Sequence, residues 1–256
     1  MTVARTRRRA SPEKTRPSIF WPLAGIVVPL AGVMARIEIE GGENVPMEGA
    51  YVLAPNHYSE FDPVIVAVAT WRLGRAPRFL VKEGLFRVPV FGWALRVTGM
   101  IPVARAGSAA TAKQTIETAE RLIAAGSGVI IYPEGSLTRD PDLWPMRGKT
   151  GAVRVALSGD LPVIPMATWG VQKILPRYGK LSLWPPRKRV KILVGPPVDL
   201  SAYAGRGSHH ASLVEATDVV MDRIAALEGE LRGETPPAER WDPTQHGQKE
   251  TGRLEP

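Results

Sequence analysis

Four consecutive apolar residues, Val129-Ile130-Ile131-Tyr132, run directly into Pro133-Glu134-Gly135-Ser136. A strand that is apolar at every position, rather than at every second one, is buried on both faces of a sheet. Helices must then cover both faces, which restricts the chain to a layered α/β architecture. Residues 36–40 alternate apolar and charged as a half-buried strand does, and 51–54, 78–82, 100–104, 161–167 and 190–194 read as further strands. Helical spacing appears at 62–73, 152–157 and, most clearly, 109–125, where Ala112, Ile116, Ala119 and Ile123 recur before a stop at Gly126. Residues 85–97 read as a helix broken near Pro89. Ser212 and Glu215 form a capping box for a last helix to about Leu231, with Val219, Val220, Ile224, Leu227 and Leu231 as its apolar stripe. The expected fold class is α/β, a mixed and largely parallel sheet flanked by helices, with an N-terminal membrane-associated helical segment.

The two ends read differently from this middle. Residues 1–16 carry Arg5, Arg7, Arg8, Arg9, Lys14 and Arg16 against Glu13 alone, the pattern of a disordered basic arm. Residues 17–35 contain no charge, and nineteen residues is close to the minimum for a transmembrane helix. Pro22, Pro29, Gly25 and Gly32 interrupt the run, so two short helices dipping into one leaflet fit better than a span. A signal peptide is the rival reading, because Val33-Met34-Ala35 resembles a cleavage site. Removal of residues 1–35 is expected to spare the α/β domain at 36–232. Residues 233–256 are polar and rich in Pro and Gly, and are expected to be disordered.

The net charge of +8 implies an anionic partner: nucleic acid, anionic lipid or a phosphorylated small molecule. The basic arm lacks interleaved aromatics and adjoins the most apolar segment, which argues for a membrane surface and against nucleic acid. With no cysteine, thiol nucleophiles, disulfides and thiolate metal sites are excluded. G-x-S-x-G, P-loop, G-x-G-x-x-G and H-E-x-x-H patterns are absent, and no metal ligands or cofactor are expected.

The chemistry concentrates in two places. His57 and Asp62 lie five positions apart, where a carboxylate can orient an imidazole that accepts a proton from a hydroxyl. Asp62 also sits where it could simply cap the following helix. Glu134, Gly135 and Ser136 follow a buried strand, and the glycine lets backbone approach a ligand. Lys82, Arg105, Arg139, Arg147 and Lys149 follow strands or lie in loops near these motifs, where cationic groups can hold an anionic substrate. His209, His210 and His246 read as surface loop residues.

Together these residues resemble the glycerolipid acyltransferases, the 1-acylglycerol-3-phosphate acyltransferase or PlsC-like family. Asn56-His57 through Asp62 is similar to that family's N-H-x-x-x-x-D motif. Gly99-Met100-Ile101-Pro102-Val103-Ala104-Arg105 is similar to the second motif, and Tyr132-Pro133-Glu134-Gly135-Ser136 to the third, usually Phe-Pro-Glu-Gly-Thr-Arg. Val163-Ile164-Pro165-Met166 is similar to the fourth. One departure stands out: Leu137 and Thr138 intervene before Arg139, so Arg139 does not follow the turn directly as the family arginine does. The resemblance implies an acyltransferase domain at 36–232 and acyl transfer from acyl-CoA or acyl carrier protein to a lysophospholipid hydroxyl. It makes His57 the base, Asp62 its orienting partner, Arg105 a phosphate ligand, and Glu134 with Gly135 part of the acceptor site. Ser136, Lys82, Arg139 and Lys149 complete the expected binding set. The acceptor expected first is 1-acylglycerol-3-phosphate, giving phosphatidic acid, at a cell membrane, monotopic, with the site facing the cytoplasm. A lipid ester hydrolase, an acyltransferase for another lysolipid or a glycolipid, and a non-catalytic lipid-surface protein are the alternatives.

Overall fold

The computed structural model describes residues 10–103, 117, 120–207 and 209–250. In chain order the elements are α1 (Pro12–Thr15), α2 (Phe20–Met34), β1 (Ala35–Glu40), β2 (Tyr51–Pro55), α3 (Asp62–Arg72), β3 (Leu80–Lys82) and α4 (Phe91–Val97). They continue as β4 (Ile101–Val103), β5 (Gly128–Ile130), α5 (Gly151–Gly159), β6 (Val163–Trp169), β7 (Lys188–Val194) and α6 (His210–Arg232). The expected helix at 109–125 falls largely outside the described residues, as does Arg105; residues 120–125 are helical.

Five strands form one sheet in the order β1-β7-β6-β2-β5, and β3 pairs with β4 separately. Within the large sheet β1–β7, β6–β2 and β2–β5 are parallel, and β6–β7 is antiparallel. The mixed, largely parallel sheet flanked by helices is therefore present. Strand alternation divides the core. Tyr51, Leu53, Ile164 and Met166 face one side, with Ile65, Val66 and Ala69 of α3. Val52, Ala54, Val129 and Val163 face the other, with Val153 and Ala156 of α5 and Leu213, Ala216, Val220 and Ile224 of α6. Each large aliphatic side chain buried this way contributes roughly 1.5–3 kcal/mol.

Three expectations about the ends are corrected. Residues 1–9 of the expected arm lie outside the described residues, and residues 10–16 are not a loose arm. Glu13 pairs with both Arg75 and Arg78, and Ser11 Oγ donates to the Gly74 carbonyl at 2.8 Å. Arg75 is fully buried, donates to the carbonyls of Pro46, Gly49 and Gly126, and stacks over Tyr51. Deleting residues 1–35 would leave this buried cation without the Glu13 carboxylate, so residues 10–16 belong to the fold. The apolar run 17–35 forms one helix, not a pair. Pro22 lies in its first turn, where the missing N–H has no intrahelical partner anyway. Pro29 sits inside, and the Gly25 carbonyl it leaves unpaired belongs to an exposed residue that solvent can satisfy. Among the described residues no helix is long and apolar enough to cross a membrane.

The described part of the tail after α6, residues 233–250, is also held against the domain, and residues 251–256 lie outside the described residues. The Trp241 ring stacks on His246 with centroids 3.5 Å apart, Arg147 N donates to the Trp241 carbonyl at 2.9 Å, and Arg240 pairs with Asp218 and Asp222. Helix α6 starts two residues before Ser212, which lies buried in its first turn, so the capping box does not form. His209 and His210, expected in a loop, lead into and open that helix, both exposed.

Candidate active site

Strands β2, β5 and β6 run parallel, so their carboxyl ends lie along one edge of the sheet, where sites form in such folds. His57 follows β2, Glu134 follows β5, and Thr168 closes β6. The distance of 77 residues between histidine and glutamate thus collapses to one hydrogen bond: His57 N donates to Glu134 Oε1 at 2.8 Å.

Asp62 opens α3, and its carboxylate turns back toward the preceding loop. Oδ2 accepts from Tyr58 N at 2.7 Å and Ser59 N at 2.8 Å, and lies 3.0 Å from His57 Nδ1. Asp62 is fully buried, and burial raises its carboxyl above the usual range while His57 and the two amides pull it down. The His57 ring stacks on Tyr132 with centroids 4.1 Å apart and keeps 16% of its side chain exposed. With Nδ1 facing Asp62, Nε2 is the nitrogen left to accept a substrate proton.

Glu134 is not an open ligand group. It is fully buried, and its second oxygen accepts from Met146 N at 3.1 Å. Burial holds its carboxyl well above the ordinary range, against the two amides. Its role in this arrangement is to join the loop bearing His57 to the turn after β5; Thr138 N reinforces the join by donating to the His57 carbonyl at 2.7 Å. Gly135 has φ +69°, and a Cβ there would meet the Lys149 stem at 3.0 Å, so only glycine suits this turn. Ser136 Oγ donates to the Glu250 carbonyl at 2.9 Å.

The expected cations are distributed unevenly. Lys149 N donates to the Pro133 carbonyl at 2.7 Å, and its ammonium lies 3.5 Å from Glu250, which Arg147 also pairs with. Arg139 is buried and donates to the Tyr178 hydroxyl at 2.8 Å; Arg177 spans the Thr138 and Asp140 carbonyls beside it. Lys82 ends β3. Arg105 lies outside the described residues.

Behind the histidine lies a network that motif spacing does not reveal. Asn56 Nδ2 donates to Glu228 Oε2 at 2.7 Å and to the Thr168 carbonyl at 3.1 Å, and its Oδ1 accepts from Thr168 N and Oγ1. Glu228 also lies 3.3 Å from Arg232, whose guanidinium packs over Trp144 and Trp169. A carboxyl four residues after Ile224, on the buried stripe of α6, is the one sequence signal for this network.

Burial pushes Glu228 up from 4.5 to about 8, against the bonds from Asn56 and Arg232. A carboxyl that holds its proton more tightly folded than unfolded stabilises the fold fully below 4.5, and that contribution is lost as pH rises to about 8. Glu228→Gln is expected to flatten this slope. Urea midpoints of both proteins across that range check it; parallel curves would contradict the assignment.

A fold of this kind, with an imidazole–carboxylate pair at the carboxyl ends of parallel strands, defines a class of group-transfer or hydrolytic sites. The comparisons narrow it: residues 36–169, more than half of the chain, match the acyltransferase family model, and the chain belongs to that family. It is 28% identical over 141 residues to a chloroplast 1-acyl-sn-glycerol-3-phosphate acyltransferase of Brassica napus, covering 55% of this chain and 39% of that one. It is 27% identical over 195 residues to the 1-acyl-sn-glycerol-3-phosphate acyltransferase of Bacillus subtilis, covering 76% and 89%. The chain thus spans well under half the length of the chloroplast relatives and most of the bacterial one. The crystal structure of the Thermotoga maritima acyltransferase PlsC shares the fold, with a TM-score of 0.57 at 24% identity over 81% of this chain and 74% of that one.

Proposed function

We propose that this protein transfers an acyl chain from an acyl thioester, acyl-CoA or acyl carrier protein, to the free hydroxyl of a lysophospholipid. The leading acceptor is 1-acylglycerol-3-phosphate, the acceptor named for the Brassica napus and Bacillus subtilis relatives. The observation that carries the reading is His57 Nδ1 at 3.0 Å from buried Asp62, with the ring partly open to solvent. Nε2 takes the proton of the acceptor hydroxyl as its oxygen attacks the thioester carbonyl carbon. The carbon–sulfur bond then breaks, and the leaving thiolate takes that proton from Nε2. Asp62 balances the positive charge held by the ring between the two transfers.

Glu134 holds the histidine loop against the turn, and Gly135 and Ser136 border the acceptor. Arg105, by its place at the end of the second motif, binds the acceptor phosphate, with Lys82, Arg139 and Lys149 adding positive potential. Helix α2 supports membrane attachment: Leu23, Ile26, Leu30 and Val33 recur at helical spacing and are exposed. At about 22 Å of length, α2 is too short to cross and lies in one leaflet, keeping the protein monotopic, and the basic residues that precede it favour the cytoplasmic side for arm and site alike.

Mass spectrometry of lipids formed from a panel of lysolipids and acyl thioesters tests the reading. Phosphatidic acid from lysophosphatidate is expected as the main product. Acylation of a neutral monoacylglycerol at the same rate would contradict phosphate recognition. Fatty acid released without acceptor would point to a hydrolase instead.

A further inference from the structure

Three large apolar side chains stand out from the surface far from the catalytic pair in sequence. Leu181, Leu183 and Trp184 are 52%, 59% and 84% exposed. The loop that carries them is tied down at three points. Ser182 N donates to the Ile174 carbonyl at 2.8 Å, Lys188 Nζ donates to the Ser182 carbonyl at 2.6 Å, and Arg187 N donates to the Val33 carbonyl at 2.9 Å. The last bond fastens the loop to the final turn of α2. The exposed stripe of α2 and the exposed loop therefore adjoin at Val33.

The charges around this junction are mainly basic. Lys180, Arg187 and Arg189 are exposed, and Glu38 is shared between Arg36 and Arg189. Exposed apolar side chains gathered on two linked elements and rimmed by charge mark a binding face rather than ordinary surface. Tryptophan beside lysine and arginine is the chemistry of a membrane–water boundary. A second copy of this chain would bring one basic rim against another, whereas an anionic bilayer neutralises it.

We propose that residues 181–184 insert into the headgroup region of an anionic membrane beside α2. Two insertion elements, far apart in sequence, then fix the orientation of the α/β domain on the bilayer instead of leaving it tethered by one helix. This inference rests on the reading of α2 as lipid-facing.

The absence of cysteine permits a direct test. Single variants Ile26→Cys, Trp184→Cys and Ala211→Cys are made in the full chain and labelled with an environment-sensitive fluorophore. Ala211 is exposed on α6, across the sheet from α3 and α2. Vesicles of phosphatidylglycerol and phosphatidylcholine carrying spin-labelled acyl chains are then added. Blue shift and quenching at positions 26 and 184, with an aqueous label at 211, are expected. Leu183→Glu with Trp184→Glu is expected to weaken vesicle binding roughly tenfold or more. Quenching at 26 with an aqueous label at 184 would overturn this inference alone. An aqueous label at both would overturn it together with the reading of α2. A blue shift at 184 without vesicles, growing with protein concentration, would mean that a second copy covers the loop, and would also overturn it.

Discussion

His57→Ala is expected to lower acyl transfer by roughly 10²–10⁴-fold and to leave the protein folded. The rate loss follows from the proposed mechanism, in which Nε2 is the base and alanine offers no substitute. The fold survives because the backbone of residue 57 carries the structural bonds. Its N–H donates to Glu134 and its carbonyl accepts from Thr138, and neither depends on the side chain. What disappears besides the base is stacking against Tyr132, worth about 0.5–1.5 kcal/mol, and the bond from Nδ1 to Asp62, whose Oδ2 keeps the Tyr58 and Ser59 amides. Thermal unfolding and single-turnover kinetics on the same preparation separate the two effects. Near-normal turnover in the variant would contradict the proposed mechanism.

Asp62→Asn is expected to cost roughly 10²-fold in turnover with little change in apparent acceptor affinity. In many such pairs an amide also turns the ring to the wrong tautomer. Here Tyr58 N, Ser59 N and His57 Nδ1 all converge on Oδ2, while Oδ1 is buried without a hydrogen-bond partner. An asparagine can present its oxygen to all three and place its amide where Oδ1 now lies. Orientation is then kept, the negative charge is lost, and the buried amide N–H groups without acceptors lower stability somewhat. Asp62→Ala removes both, leaving two amides unpaired, and should lose more activity and stability. Equal turnover for asparagine and alanine would contradict this division.

The site and the sheet were legible to different degrees. A continuously apolar run such as 129–132 favours a doubly covered strand, and the strand observed is 128–130, while those at 51–55 and 163–169 follow the same logic. His57, Asp62 and Glu134 stood out because their types and spacings carry chemistry. What local pattern could not supply is anything set by pairing across the chain. Glu13 looks like one acid in a basic arm until Arg75 and Arg78 fold beside it. The tail looks like a solvated segment until Trp241 meets His246 and Arg147 meets Asp242. Glu134 looks like a ligand group until two backbone amides take both its oxygens. Glu228 interrupts an apolar stripe, and its reason, Asn56, lies 172 residues away. Pro22 and Pro29 suggested a break, yet one falls in a helix's first turn and the other faces an exposed carbonyl, so one helix forms.

Release of free thiol from acyl-CoA, followed with and without lysophosphatidate, tests the central claim most directly. The chain has no cysteine, so the protein itself adds no thiol signal. The account predicts thiol release only when lysophosphatidate is present, one thiol for each phosphatidic acid formed, and loss of both in His57→Ala. Equal release without acceptor, or release that persists in His57→Ala, would contradict acyl transfer by this histidine.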